Sequence, residues 1–347
     1  MLKILCVGPI WTGSNANAMF DGLSRIGHIT AVVDENYFIN LSQKSFLAKA
    51  VAKISRTLQI TEFNNEILRQ SKLLQPDIVL IYKGAFVKPE TVLQLKKKFV
   101  VVNFYPDVSF RTHGGLLPKT LPLYHHIFTT KTFGITDLKE QLNFHNSSFI
   151  PHGFDPTLHR KMQIPENLKS YYDCDASFIG GWSEKKEQLV STIKLKHPET
   201  KLKIWGGRWE NATNDLIKKS TMLTGIHGDL YVIGINASKI NLGIVHEKVM
   251  GASSGDFITS RTFHIPGSGG FMIHEYNEES ITYFKENEEA VFYKSEDDLA
   301  DKVNYYLTHE TERLKIQAAG YERAHRDHKI DERAKLVVEI LKKEFKF

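Results

Sequence analysis

The stretch Asp77–Tyr105, DIVLIYKGAFVKPETVLQLKKKFVVVNFY, sets the fold. It holds a short apolar run, a helical pattern in ETVLQLKKK and a second apolar run in FVVVNFY. The same alternation runs outward on both sides. KILCVG (3–8), the helical NAMFDGLSRIGH, ITAVVD (29–34) and a long helical pattern through EFNNEILRQSKLLQ precede it, and IFTTKTFGITDLKEQL follows. Strands alternating with helices predict a parallel sheet covered on both faces. Pro/Gly punctuation at 151–156 ends this half, and the pattern then restarts with ASFIGGW (176–182), EKKEQLVSTIKLK, LKIWGGRW (202–209), KINLGIV (239–245) and AVFYKS (290–295). The expected organisation is two α/β domains, 1–155 and 156–328, with a C-terminal helix over 329–347 packing back toward the first. The last fifty residues read as almost wholly helical.

A chain of 347 residues is longer than most single domains, which agrees with two cores. No apolar stretch approaches the ~20 residues needed to span a bilayer, and MLKILCVGPIWTG reads as a first strand rather than a leader. The two cysteines, Cys6 and Cys174, stand far apart and outside metal-ligand spacing, so neither a disulfide framework nor a zinc site is expected. A reducing, cytoplasmic setting follows. The net charge of +5 is mild and diffuse, and nucleic acid is not an expected partner. Residues 44–58 form a basic amphipathic pattern that either packs on a core or docks on the inner face of a membrane.

The segment Ser253–Glu275, SSGDFITSRTFHIPGSGGFMIHE, is the richest in chemistry. Ser253, Ser254 and Asp256 are suited to cap a helix beginning near Phe257, and Gly269 and Gly270 to end it. A diphosphate fits at such a helix start, with Arg261 and Thr262 in its first turns; an ordinary capped helix with a solvated arginine is the alternative. Gly180 and Gly181 form a strand-to-helix turn where a ligand can approach backbone, with Lys186 one turn on. Gly13 and Ser14 in GPIWTGSN either bind an anion or cap a helix. No dinucleotide fingerprint and no phosphate-binding GxxxxGK[ST] loop is present. Asp107 and His113, with the pair His125 and His126, fall at or beyond predicted strand ends, where open α/β sheets bind ligands, although structural hydrogen bonding is the commoner role of such residues. His125, His126 and His145 lack metal-site spacing.

Several of these pieces, in order, resemble the CgeB-like glycosyltransferases of the spore-maturation type, a branch of the group-1 superfamily. They are SKINLGI, RTFHIPGSGGFMIHEY, VFYKSEDDLADKVNYYLTHETERLKIQAAGYERAHRDH and DERAKLVV. Weaker resemblance extends through HGFDPTLH, DASFIGGW and LKIWGGRW. It implies a GT-B fold: two Rossmann-like domains with parallel sheets facing a central cleft, and a helical C-terminal tail. The donor, a nucleotide-diphosphate sugar, would lie on the second domain, and a glycan or lipid-linked acceptor on the first. Neither cofactor nor metal is implied, because Arg261, Lys186 and the backbone at Gly180 and Gly181 would meet the diphosphate charge. Retention of configuration would follow; for an inverting enzyme Asp107 or His113 would be the base. Group-1 relatives often carry two glutamates eight positions apart, and here those positions fall on Asp256 and His264, with Glu275 as a compensating carboxylate. On that equivalence His264→Glu would be tolerated. A sugar-nucleotide epimerase and a non-catalytic sugar-nucleotide binder are the alternative activities.

Overall fold

The computed structural model describes residues 1–39 and 46–347, and the side chains of all of these except 46–54. Most of the amphipathic pattern at 44–58 therefore lies outside the described side chains. The chain divides into two compact units, each built on its own parallel sheet. The first comprises Met1–Pro151, Lys248–Asp256 and Ile330–Phe347, and the second His152–Glu247 and Phe257–Lys329. Segment 248–256, expected with the second domain, packs with the first unit.

The first sheet has six strands in the order β2-β1-β3-β4-β5-β6: β1 Lys3–Gly8, β2 Ile29–Asp34, β3 Ile78–Tyr82, β4 Val100–Tyr105, β5 His126–Thr129 and β6 Ser147–Phe149. Register is pinned by pairs such as Ile4 with Ile78 and Ile78 with Val100. All five β3 residues are buried. Helices on both faces leave no solvent side, so the strand reads as a continuous apolar run. Burying Ile78, Val79, Leu80 and Ile81 stabilises the sheet by roughly 1.5–3 kcal/mol each.

Helix Asn15–Arg25 begins on Ser14, whose hydroxyl accepts from Ala16 N and Asn17 N and donates to the Pro9 carbonyl. The anion-binding alternative for Gly13 and Ser14 gives way to capping, since that buried hydroxyl is fully engaged. The C-terminal helix Ile330–Phe345 seals this face. Its Ile330, Ala334, Val337 and Leu341 pack with Met19, Phe20 and Leu23, and Arg25 holds Asp331 at 2.6 Å. Gly22 lets the helices approach, because a Cβ there would stand 3.3–3.6 Å from Asp331, Ile330 and Ala334.

The second sheet has five strands in the order β11-β10-β9-β7-β8: β7 Cys174–Ile179, β8 Leu202–Trp205, β9 Ser238–Gly243, β10 Met272–Glu275 and β11 Val291–Tyr293. Three successive helices close the chain, the first starting on Ser295, whose hydroxyl accepts from Asp298 N. Beneath the helix Ser260–Gly267 lies a buried aromatic group. His264 stacks on His159 with ring centroids 3.9 Å apart, and Tyr231 meets His264 edge-on. Burial pushes His159 down to about 4, and burial with the neighbouring His159, His152 and Arg261 holds His264 well below the ordinary imidazole value. The stack is neutral at physiological pH.

Two stability predictions follow from these interiors. Lys131 and Asp256 form an ion pair within the first unit whose side chains are 4% and 8% exposed. Lys131→Met leaves a buried carboxylate without its cation, and urea unfolding should report a loss of about 3–5 kcal/mol, largely recovered in the Lys131→Met/Asp256→Leu double variant. Equal stability of the single variant and wild type would contradict this. In the second unit His159 takes a proton less readily folded, at about 4, than unfolded, at 6.5. Stability is therefore complete above about pH 6.5 and falls as pH drops through 4, by roughly 3 kcal/mol from this group. Urea midpoints from pH 7 to 4 should show the fall and His159→Phe should flatten it; an identical slope in the variant would count against the assignment.

Candidate active site

In the second unit the site forms where β7, β8, β9 and β10 end. Gly180 and Gly181 follow β7, and Gly206 and Gly207 follow β8. Trp209 Nε1 donates to the Gly180 carbonyl at 2.8 Å, and Gly206, at φ +148°, lies so near that its Cβ would sit 2.1 Å from the same oxygen. Any side chain at Gly206 collides with backbone, so this turn requires glycine. Gly180 is equally confined, since a Cβ there would stand 2.7 Å from the Phe178 ring and 3.1 Å from Arg261 Nη1.

Arg261 stands in the first turn of helix Ser260–Gly267 and is partly exposed. Its Nη2 donates to the Ile244 carbonyl just after β9 at 2.8 Å, and its guanidinium lies over Phe178, 5.2 Å from the ring centroid. Lys186 is buried and donates to the Gly181 carbonyl at 3.2 Å. The two cations predicted to meet a diphosphate thus border one glycine turn. Glu275 at the end of β10 receives both bonds of Lys185 at 2.8 Å, with Tyr293 Oη 3.4 Å away. Glu247 accepts from Ser183 Oγ at 3.0 Å; burial alone would raise its carboxyl, and its own backbone N–H, Ser183, His246 and Lys186 outweigh that and hold it low. Lys185, Glu247, Gly206 and Gly207 were not singled out from the sequence, although Gly206 and Gly207 sit in the same strand-to-turn pattern as Gly180 and Gly181.

The rest of the predicted constellation takes other roles. The helix starts at Ser260 on a capping box in which Thr259 N donates to Thr262 Oγ1, not near Phe257 on Ser253, Ser254 or Asp256. Those residues are drawn away by the first unit, where Ser253 N donates to Asp137 and Asp256 pairs with Lys131. Asp256 is therefore a buried ion-pair partner rather than an open acceptor for sugar hydroxyls. Thr262, fully buried, faces His274 Nε2 at 2.8 Å. Burial pushes His274 down to about 4, so its ring is neutral; it donates from Nδ1 to the Glu275 carbonyl and accepts the Thr262 hydroxyl at Nε2. The expected tolerance of His264→Glu does not follow either, because a carboxylate would enter the histidine stack, where an unpaired charge is costly. Gly269, at φ +81°, and Gly270 do end the helix, but both are buried: Gly270 N donates to the Ile265 carbonyl and Gly269 O accepts from Gln317.

In the first unit, Asp107 follows β4 and meets Lys83 Nζ at 2.8 Å, with His113 Nε2 at 3.6 Å. Burial would raise the Asp107 carboxyl, yet Lys83, His113 and Lys131 outweigh it and hold it below the carboxylate range. His113 Nδ1 lies 3.2 Å from Tyr105 Oη and 3.1 Å from the Ser109 carbonyl. Lys83 adopts a left-handed φ of +62°, an uncommon conformation for a non-glycine residue that is held by the Lys83 N bond to the Phe104 carbonyl and by Asn103 donating to the Lys83 carbonyl. Glu35, the first residue after β2, is raised to about 7, chiefly by burial and also by Asp34, against the pull of Lys83. Neither Lys83 nor Glu35 was predicted, although both directly follow strands. His126 is structural, buried in β5 with Nδ1 2.6 Å from Glu344.

Comparison with known proteins places this geometry in a family context. Residues 185–339 match the glycosyl transferase-like family. No curated protein matches the chain. Among solved structures, the chain is similar to sucrose-phosphate synthase from Thermosynechococcus elongatus (TM-score 0.69, 10% identity, 99% of each chain covered). It is similar also to Anabaena HepE in complex with UDP-glucose (TM-score 0.67, 9% identity, 99% of this chain and 100% of that one). A glycosyltransferase from Rickettsia africae gives a TM-score of 0.62 at 15% identity, covering 99% and 98%. At these identities the likeness is one of fold. The chain therefore has the two-domain GT-B fold of these solved structures, and its residues 185–339 are similar to the glycosyl transferase-like family.

Proposed function

We propose that the enzyme transfers a sugar from a nucleotide-diphosphate donor, bound by the second unit, to a hydroxyl of a glycan, a lipid-linked glycan or a surface polymer. The observation that carries this reading is the placement of Arg261 and Lys186 on the Gly180–Gly181 turn. The UDP-glucose bound by HepE, of the same fold, makes a uridine nucleotide the first donor to try. As the glycosidic bond breaks, the electron pair passes to the β-phosphate oxygen and negative charge grows on the diphosphate. Cations fixed beside it stabilise the transition state more than the ground state. Arg261 and Lys186 take this role, and no divalent ion is needed.

The reaction retains configuration, with no dedicated protein base. Asp107, ionised and held by Lys83 beside His113, then positions an acceptor hydroxyl in the first unit. No helix among the described residues is long and apolar enough to cross a membrane.

Arg261→Ala tests the donor site. Loss of one charge-stabilising donor costs about 3–4 kcal/mol in the transition state, so turnover should fall roughly 100- to 1,000-fold while nucleotide affinity falls less. A variant keeping more than about half of wild-type turnover would remove Arg261 from the mechanism, since a merely exposed ion pair is worth under about 1 kcal/mol. Chelation tests the second element. Turnover of the nucleotide sugar should survive excess EDTA, and complete loss restored by magnesium or manganese would sink the metal-free mechanism.

A further inference from the structure

The amino-terminal edge of the first sheet carries a charge that no residue of the donor site uses. All strands of that sheet run parallel, so the residues that open or just precede them share one end of the unit. Lys3 opens β1, Lys97 and Lys98 run into β4, and His125 precedes β5. The end of helix Ile330–Phe345 lies along the same edge. Burial and the neighbouring Lys342 lower His28 just before β2, Phe345 meets the His125 ring edge-on with centroids 5.9 Å apart, and Glu344 pairs with His126.

This edge is polarised. Lys3, Lys97, Lys98, Lys342, Lys343 and Lys346 are exposed, and none of their ammonium groups pairs with a carboxylate among the described residues. The carboxylates nearby are already engaged: Asp77 accepts from Lys3 N at 2.7 Å, and Glu344 holds His126 Nδ1 at 2.6 Å and also Asn146. Glu140 adjoins Lys139. Lysines are common in the last turn of a helix, where they offset its dipole, and that role accounts for Lys342 and Lys343. It does not account for Lys3, Lys98 or Lys346, which lie outside helices.

Large apolar side chains stand singly among these cations. Leu73, in the last turn of helix Phe46–Leu74, is 67% exposed, and Phe347, with its ring centroid 6.3 Å from that of Phe345, is 43% exposed. Protein interfaces are depleted in lysine and gather their apolar residues into a central patch. Lysines with isolated apolar side chains between them fit an anionic bilayer instead, the ammonium groups meeting headgroup phosphates and the apolar groups entering the interface.

We propose that the amino-terminal edge of the first sheet docks this unit on an anionic lipid surface through Lys3, Lys97, Lys98, Lys342, Lys343 and Lys346, with Leu73 and Phe347 entering the interface. The surface is separate from the amphipathic pattern at 44–58 and from the donor site, so it does not rest on sugar transfer. Lys83 and Asp107 follow the opposite ends of β3 and β4, and docking leaves them on the end turned from the lipid.

Co-sedimentation of the full chain with vesicles of phosphatidylcholine containing a quarter phosphatidylglycerol, against vesicles of phosphatidylcholine alone, tests it. At about 0.1 M salt the anionic vesicles should carry down most of the protein and the neutral ones little, and raising the salt to about 0.5 M should release it. The variant Lys97→Glu/Lys98→Glu/Lys342→Glu/Lys343→Glu should bind at least roughly tenfold more weakly at unchanged melting temperature. Glutamine at the same four positions adds no negative charge beside Glu344 and gives the same test if the reversed set melts lower. Phe347→Ser should weaken binding without altering its salt dependence. Equal sedimentation with both vesicle types, none with either, or undiminished binding by the glutamine and glutamate variants would overturn the proposal. Retention on polyglutamate resin without binding to vesicles would assign the edge to an acidic protein and overturn it as well.

Discussion

The second unit depends on a contact that admits no side chain: Gly206 against the carbonyl oxygen of Gly180, where a Cβ would stand 2.1 Å away. That approach joins the turns after β7 and β8 and sets Trp209 to donate to the same oxygen. It also fixes Gly180, which in turn fixes how near Arg261 can come. A methyl group at Gly206 would force backbone apart, and one at Gly180 would press on the Phe178 ring and on the guanidinium 3.1 Å from its Cβ position. Close-packed interiors transmit such shifts rather than absorbing them.

Two of the non-glycine residues with left-handed φ directly follow or lie just beyond strand ends, one in each unit. Lys83, after β3, and Arg208, after β8, hold left-handed φ values of +62° and +68°. Each is over-determined by its surroundings: Lys83 through Phe104 and Asn103, and Arg208 in a turn where Trp182 N donates to the Gly207 carbonyl and the guanidinium lies 5.9 Å from the Trp182 ring centroid. Such conformations persist only where neighbouring bonds enforce them, and they gather at ligand-facing loops. In the first unit the result is a lysine delivered to Asp107. In the second it is a turn that carries two further glycines to the strand ends.

The alternation of strands and helices was legible because each element carries its own pattern. The buried β3 run, the Ser295 cap and the glycines closing helix Ser260–Gly267 are all local signals. Local reasoning failed where a distant partner competed. Ser253, Ser254 and Asp256 are good caps, yet Asp256 is taken by Lys131 and Ser253 N by Asp137, more than a hundred residues earlier in the chain. The cap then passes to Thr259, whose box with Thr262 is also plain in the sequence but was masked by the stronger candidates upstream. His264 failed for a different reason. Its position along the helix was readable, but the ring that covers it, His159, comes from a segment with no periodic pattern to announce it. Glu35 and Lys83 carried no signal beyond following a strand, and only burial and proximity give them chemical character.

The polar residues divide by the way they are neutralised, and that division bears on the chemistry. Inside the second unit the buried imidazoles of His159, His264 and His274 are held low and carry no charge, so they cost the fold little and add no field. At its strand ends Lys185 meets the Glu275 carboxylate, Arg261 donates to the Ile244 carbonyl, and Lys186 donates to the Gly181 carbonyl while also acting on the Glu247 carboxylate. Cations anchored in this manner are oriented before any ligand arrives, and an environment already oriented toward developing charge needs no reorganisation as that charge appears. The fold therefore brings two oriented cations to the Gly180–Gly181 turn, the feature on which the proposed donor site rests.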